Sequence, residues 1–185
     1  MLVHYKMQYC ATNKQNGVTL VELVIGVAIL AIVSAIAVPS YTEFIANSQI
    51  RSTTESIRNG LQVARAEAVK RNATVAFTLN NADTSWRVGC PTVSANCPAT
   101  IQTKAPKEGG SGTVTLATTG TNTISFTNLG NVTTAAGQMS VVNVDNSSIP
   151  AAKSKDLRIR VGAGGNIRVC DPNVSTTTDT RYCAA

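Results

Sequence analysis

The stretch Gly17-Val18-Thr19-Leu20-Val21-Glu22-Leu23-Val24-Ile25 begins an apolar run that continues to Val38 and is closed by Pro39. Glu22 is its only charged residue; Thr19, Gly26 and Ser34 are its other non-hydrophobic ones. Wound as a helix at about 1.5 Å per residue, the run reaches ~31 Å, enough to cross the ~30 Å hydrocarbon core of a bilayer. A cleaved secretory signal reads differently, with an apolar region of about 7–15 residues ending at a small-residue cleavage site. Here the run is longer, and a helical pattern continues beyond it. Two residues are out of place in a plain anchor. A carboxylate deep in a bilayer costs on the order of 2.5–3.5 kcal/mol, so Glu22 needs a partner or a function. Pro39 lacks a backbone donor and crowds the carbonyl four residues back, which predicts a kink or local melting there.

The rest of the chain narrows the class. Its 185 residues suffice for one domain with one core. It is basic, with a net charge of +6, but only 14% of residues are charged and 43% are hydrophobic, which is not the composition of a disordered tail. The one histidine, His4, stands near the N-terminus. A Ser/His/Asp triad, a Cys/His pair and a zinc site of the H-E-x-x-H type each need a histidine inside the fold. Neither a phosphate loop nor a dinucleotide-binding glycine fingerprint is present. The reading is therefore of a protein that is not an enzyme, with no cofactor, no metal and no small-molecule substrate.

Beyond Pro39 the helical signal resumes and runs to about Asn72. Ile50, Ile57, Leu61, Ala64 and Ala68 recur at helical spacing as an apolar stripe. Arg51–Glu55 and Glu67–Arg71 are four apart, and Arg51, Arg58 and Arg65 recur every seven residues beside the stripe. The pattern then switches to short β runs at Thr74–Leu79, Ser85–Gly89, Thr113–Ala117, Thr123–Thr127, Ser140–Val144, Asp156–Val161 and Asn166–Cys170, punctuated by Gly and Asn. Cys90–Gly112 reads as a long loop. The expected fold is α+β, a long N-terminal helix packed on a β-sandwich-like domain of short antiparallel strands.

Asn16-Gly17-Val18-Thr19-Leu20-Val21-Glu22, with its apolar run and Pro39, resembles the processing site of type IV prepilins and type II secretion pseudopilins. The resemblance covers residues 1 to about 72. It implies that a prepilin peptidase cuts between Gly17 and Val18 and methylates the new amine of Val18, which stands where the family usually has Phe or Met. It divides the chain into a leader at 1–17, a membrane and filament-core half of the helix at 18–38, an amphipathic half at 39–72 and a globular β domain at 73–185. The leader starts at Met1 or Met7. Cleavage would free an amine on Val18, on the same helix face as Glu22. Glu22 would then pair with an amine in the filament core, its own or a neighbour's, offsetting the cost of burial; recognition of Glu22 by the peptidase alone is the other reading. Glu22 and Pro39 are thus the expected assembly residues. The partners implied are the inner membrane, the peptidase and other pilins or pseudopilins. The implied location is a single pass through a bacterial inner membrane with the C-terminal domain in the periplasm, and then the filament.

Cys10 would leave with the leader, and Cys90, Cys97, Cys170 and Cys183 would remain. In an oxidising compartment four cysteines read as two disulfides, with three connectivities open. The local pairs Cys90–Cys97 and Cys170–Cys183 are favoured because both lie in loop-like sequence. A four-thiolate zinc site is the alternative.

The globular part resembles the GspH/FimT branch of minor pilins and pseudopilins. In Asp156–Val161, Leu157, Ile159 and Val161 share one face and Arg158 and Arg160 the other; in Asn166–Cys170, Arg168 alternates with Ile167 and Val169. The three arginines are expected on one outer face, with Lys153, Lys155 and Arg181 near them, as a surface for DNA or a partner. DNA-binding members carry G-R-x-R here. This chain reads Gly165-Asn166-Ile167-Arg168, with Asn at the first arginine position. Three functions are therefore compared: a minor pilin of a type IV pilus, a pseudopilin of type II secretion, and a DNA-binding pilin of natural transformation. The Cys170–Cys183 tail, which resembles the C-terminal disulfide loop of pilins, favours the first.

Overall fold

The computed structural model describes residues 17–106, 108 and 112–183. Apart from Gly17, the expected leader lies outside the described residues, and so does the side chain of Pro39. The chain forms two compact units that divide between Pro39 and Ser40.

Helix α1 runs from Leu20 to Arg71, and its backbone stays helical through Pro39 instead of melting there. Both ends are capped by local chemistry. Thr19 precedes the first turn and its Oγ1 accepts from Glu22 N–H (3.3 Å). At the other end Asn72 takes φ +49°. Asn72 N–H then donates to Val69 O and Ala73 N–H to Ala68 O (both 3.2 Å), the paired bonds that close a helix on a left-handed residue. Lys70 and Arg71 lie in the last turn, where the helix dipole favours cations.

The second unit is built around one cluster. The stripe Ile50, Ile57, Leu61, Ala64 and Ala68 is fully buried. Against it pack two four-stranded antiparallel sheets. The strands are β1 Val75–Leu79, β2 Trp86–Gly89, β3 Gln102–Lys104, β4 Val114–Thr119, β5 Thr123–Phe126, β6 Val141–Asn146, β7 Leu157–Val161 and β8 Ile167–Cys170. The sheet orders are β3-β2-β1-β5 and β4-β6-β7-β8. Alternation decides which side chains enter: Val75, Phe77 and Leu79 of β1, Val142 and Val144 of β6, and Ile159 of β7 are buried. Gly60 lets the first sheet approach the helix, since a Cβ there would stand 2.7 Å from the Phe77 ring. Phe77 and Trp86 pair with centroids 5.7 Å apart, and Trp86 Nε1–H donates to Ser56 Oγ (3.1 Å).

Two expectations need correction. Cys90–Gly112 is not all loop, because β3 lies within it and pairs with β2; Gln102-Thr103-Lys104 is too short and polar to signal a strand. Of the two ion pairs expected on α1, Glu67–Arg71 closes (2.6 Å), but Arg51–Glu55 does not close among the described residues.

Candidate processing segment and basic hairpin

The N-terminal segment is a bare apolar surface. Its large apolar side chains from Val18 to Val33, with Val38, are 54–80% exposed, far beyond what a soluble surface carries as one patch. The helix is long and apolar enough to cross a membrane. Gly17 and Val18 precede it in non-helical backbone, and Glu22 is exposed in its first turn. Thr19 caps the helix, a role that the apolar pattern hides. Thr19 and Glu22 form the T-x-x-E spacing of a helix start, so this carboxylate also sits at the positive end of the helix dipole.

The structure joins Cys90 to Cys97 (Cα–Cα 5.7 Å) and Cys170 to Cys183 (Cα–Cα 5.1 Å). The first bridge closes a loop in which Cys90 N–H donates to Pro98 O (3.0 Å). The second folds the tail back onto β8, where Cys170 is buried. Among the described residues, no group of three or more His, Cys, Asp or Glu could hold a metal ion.

Strand register puts Arg158, Arg160 and Arg168 on one face, because Arg160 pairs with Arg168 and Arg158 with Cys170. Their surroundings differ. Arg158 is half-buried, and its Nε–H donates to Asn143 Oδ1 (2.6 Å). Arg160 is half-buried and Arg168 exposed; both line a cavity of about 250 Å³ that Tyr182 and Cys183 of the returning tail also line. The other three cations have contacts of their own. Lys153 pairs with Glu43 of the helix, Lys155 N–H donates to Asn47 Oδ1 (2.8 Å), and Arg181 pairs with Asp179 (2.8 Å). Lys155 and Arg181 line a groove beside Val169 and Cys170 of β8, whereas Lys153 is drawn to the helix by Glu43.

A glycine contact sets the hairpin against the helix. Arg65 Nε–H donates to Gly130 O (3.0 Å), and Gly165, at φ +74°, lies against both groups. Val132 N–H donates to Ala163 O (2.9 Å), tying the same turn to the β5 side. The Gly-rich turn signals a tight bend in the sequence, but not the arginine that meets it.

A carboxylate pair flanks Arg158. Ser154 Oγ lies 2.8 Å from Asp145 Oδ1 and also within hydrogen-bond reach of Asp156. Burial raises Asp156 above the usual carboxylate range; the Ser154 bond opposes this, and Asp145 adds to it. Burial also pushes Asp145 upward, but bonds from Ser154, Asp156 and Asn146 N–H leave it lowered overall. The folded state thus holds the Asp156 proton more tightly than the unfolded chain. That stability is fully present below the unfolded value and is lost as pH rises through the folded one. Asp145 acts oppositely, losing stability as pH falls through its lowered value. Asp156→Asn is expected to raise the melting temperature at pH 7 by a few degrees, with the gain shrinking toward pH 3. Melting curves at both values check this; an equal gain at both would mean that ionisation is not the cause.

Comparison with known proteins adds to the geometry. Residues 53–165 match the family described as Type II transport protein GspH. Residues 12–38 match the prokaryotic N-terminal methylation motif. A fimbrial protein of Pseudomonas aeruginosa is 32% identical over 75 residues, 40% of this chain and 48% of that protein. The type IV major fimbrial protein FimA of Dichelobacter nodosus is 47% identical over 53 residues, 29% of this chain and 32% of that one. The chain thus spans about half or less of the length of these relatives. The crystal structure of the type IV minor pilin FimU of P. aeruginosa aligns with a TM-score of 0.51 at 16% identity, covering 70% of this chain and 97% of that one, so the fold is shared. The GspH match spans most of the chain, from Thr53 of α1 through β7, with β8 beyond it: this chain belongs to the GspH family of type II transport proteins and carries the N-terminal methylation motif ahead of it.

Proposed function

We propose that the chain is a minor pilin-like subunit, made with a leader at 1–17, cut between Gly17 and Val18 by prepilin peptidase and methylated on the Val18 amine. Residues 18–38 hold it in the inner membrane as a single pass, with the C-terminal domain in the periplasm, until it enters a filament with other pilins or pseudopilins. One observation carries the reading: a methylation motif at 12–38 and a GspH region at 53–165 lie on one chain, and the apolar segment within the motif is bare. A surface of that kind needs lipid or other helices around it. The fimbrial relatives favour a type IV pilus over a secretion pseudopilus. Glu22 serves assembly by pairing with an amine, and Pro39 marks the end of the buried half.

Intact mass and N-terminal sequencing of the protein from membrane and sheared-filament fractions test this. The expected mature chain starts at Val18 and carries one extra methyl group. A chain that retains its leader in peptidase-competent cells, or starts elsewhere, overturns the assignment.

A further inference from the structure

The register of the second sheet leaves one strand edge half-covered. Gly162 N–H donates to Asn166 O (3.0 Å), and Val161 N–H to Ser140 O (2.9 Å). The backbone groups of Arg168 and Cys170 therefore point toward β7, and those of Ile167 and Val169 point off the sheet. Asp171, the next outward position, already has a partner. Its N–H donates to Arg181 O (2.8 Å), and Asp171 bridges Tyr182 in parallel. The tail thus begins a further strand at Asp171 and does not continue it along β8.

Two grooves border the open edge. One, of about 660 Å³, is lined by Phe44, Arg51, Lys155, Leu157, Val169 and Arg181, among others. The other, of about 770 Å³, is lined by Arg65, Val69, Lys70 and Ile167, among others. Among the described residues, Asp171 is the one carboxylate in either lining. Arg51 and Lys155 close no ion pair among the described residues.

We propose that the β8 edge binds an extended acidic segment of another protein, which adds as a strand beside Ile167 and Val169. Backbone donors and acceptors at these two residues supply the ladder, and the surrounding cations select carboxylates. A second copy of this chain fits poorly, because it would bring the same cations to the edge. Nucleic acid is disfavoured because the two residues that bear the outward backbone groups, Ile167 and Val169, have half-buried apolar side chains, which offer a phosphate no charge partner. The inference does not depend on processing or filament entry.

The test uses the full chain in detergent micelles and residue-resolved amide hydrogen exchange. The probes are an acetylated, amidated peptide of alternating Glu and Val, its Lys and Val counterpart, and oligothymidylate. With the acidic peptide, the Ile167 and Val169 amides are expected to slow by about tenfold or more, while Arg168 and Cys170, already in the ladder, do not change. Arg51→Glu combined with Lys155→Glu should abolish the slowing while the Val144 and Ile159 amides keep their protection. No slowing by the acidic peptide overturns the proposal. So does equal slowing by the basic peptide, or equal slowing by oligothymidylate, which would assign the edge to nucleic acid. If the double variant loses its fold, the acidic-against-basic comparison on the parent chain still decides.

Discussion

Glu22→Val is expected to be cleaved after Gly17 and to insert as well as the parent, yet to enter filaments two to three orders of magnitude less efficiently. Insertion is not impaired, because valine at this depth is more favourable than a carboxylate. Assembly suffers because an amine that met Glu22 in an apolar filament core would be left buried and unpaired. Removing one partner of a buried pair costs about 3–5 kcal/mol, and each ~1.4 kcal/mol is a factor of ten. The loss of the negative group at the helix start adds about 0.3–1 kcal/mol against the helix itself. Quantifying the protein in sheared filaments and in membranes, for parent and variant, checks this. Equal incorporation would show that the carboxylate has no pairing role in the core. Glu22→Gln should behave like Glu22→Val, since it also leaves the amine without a charge partner.

Gly165→Ala is expected to disrupt the globular unit strongly. The alanine must adopt φ near +74°, which costs about 1–2 kcal/mol for a residue with a Cβ. That Cβ would also stand 2.0 Å from Gly130 O and 3.0 Å from Arg65 Nε. The arginine side chain can shift, but the Gly130 carbonyl is backbone and cannot yield cheaply; it also accepts from Arg65. The turn must move away, breaking the Arg65 bond and the Val132–Ala163 bond, each contributing about 1 kcal/mol. The sum is roughly 3–4 kcal/mol, a large part of the ~5–15 kcal/mol that holds a domain. Gly164→Ala is the control, since a Cβ there meets nothing within 4 Å. Denaturant melts should show a large loss for the first variant and little change for the second. Similar melts for the two would mean that the turn is free to shift.

What was legible in the sequence follows from what has periodicity. The helix, its buried stripe from Ile50 to Ala68 and seven of the eight strands leave patterns of 3.6 or 2 residues that survive without a structure. β3 does not, because three residues hold no period and Gln102 and Thr103 are exposed. The outer face of the hairpin was readable only as far as strand alternation carries. Alternation puts Arg158, Arg160 and Arg168 on one side, but it cannot show that Asn143 takes up Arg158. Nor can it show that Lys153 reaches Glu43, 110 residues earlier in the chain. The helix start carried its own signal: the Thr19 and Glu22 spacing names a cap, yet a strong membrane signal over the same residues draws attention from it.

The way α1 enters the globular unit also governs how that unit bears tension. Its buried positions from Ile50 to Ala68 touch one cluster shared by both sheets, along about 27 Å of helix axis at ~1.5 Å per residue. A force directed along that axis loads those contacts side by side, in shear, and none can part before its neighbours. The helix has no free end at which to peel, because Ala73 leads directly into β1. A domain joined to its helix in this way should resist pulling far better than one hung from a flexible linker, and it should yield abruptly when it does.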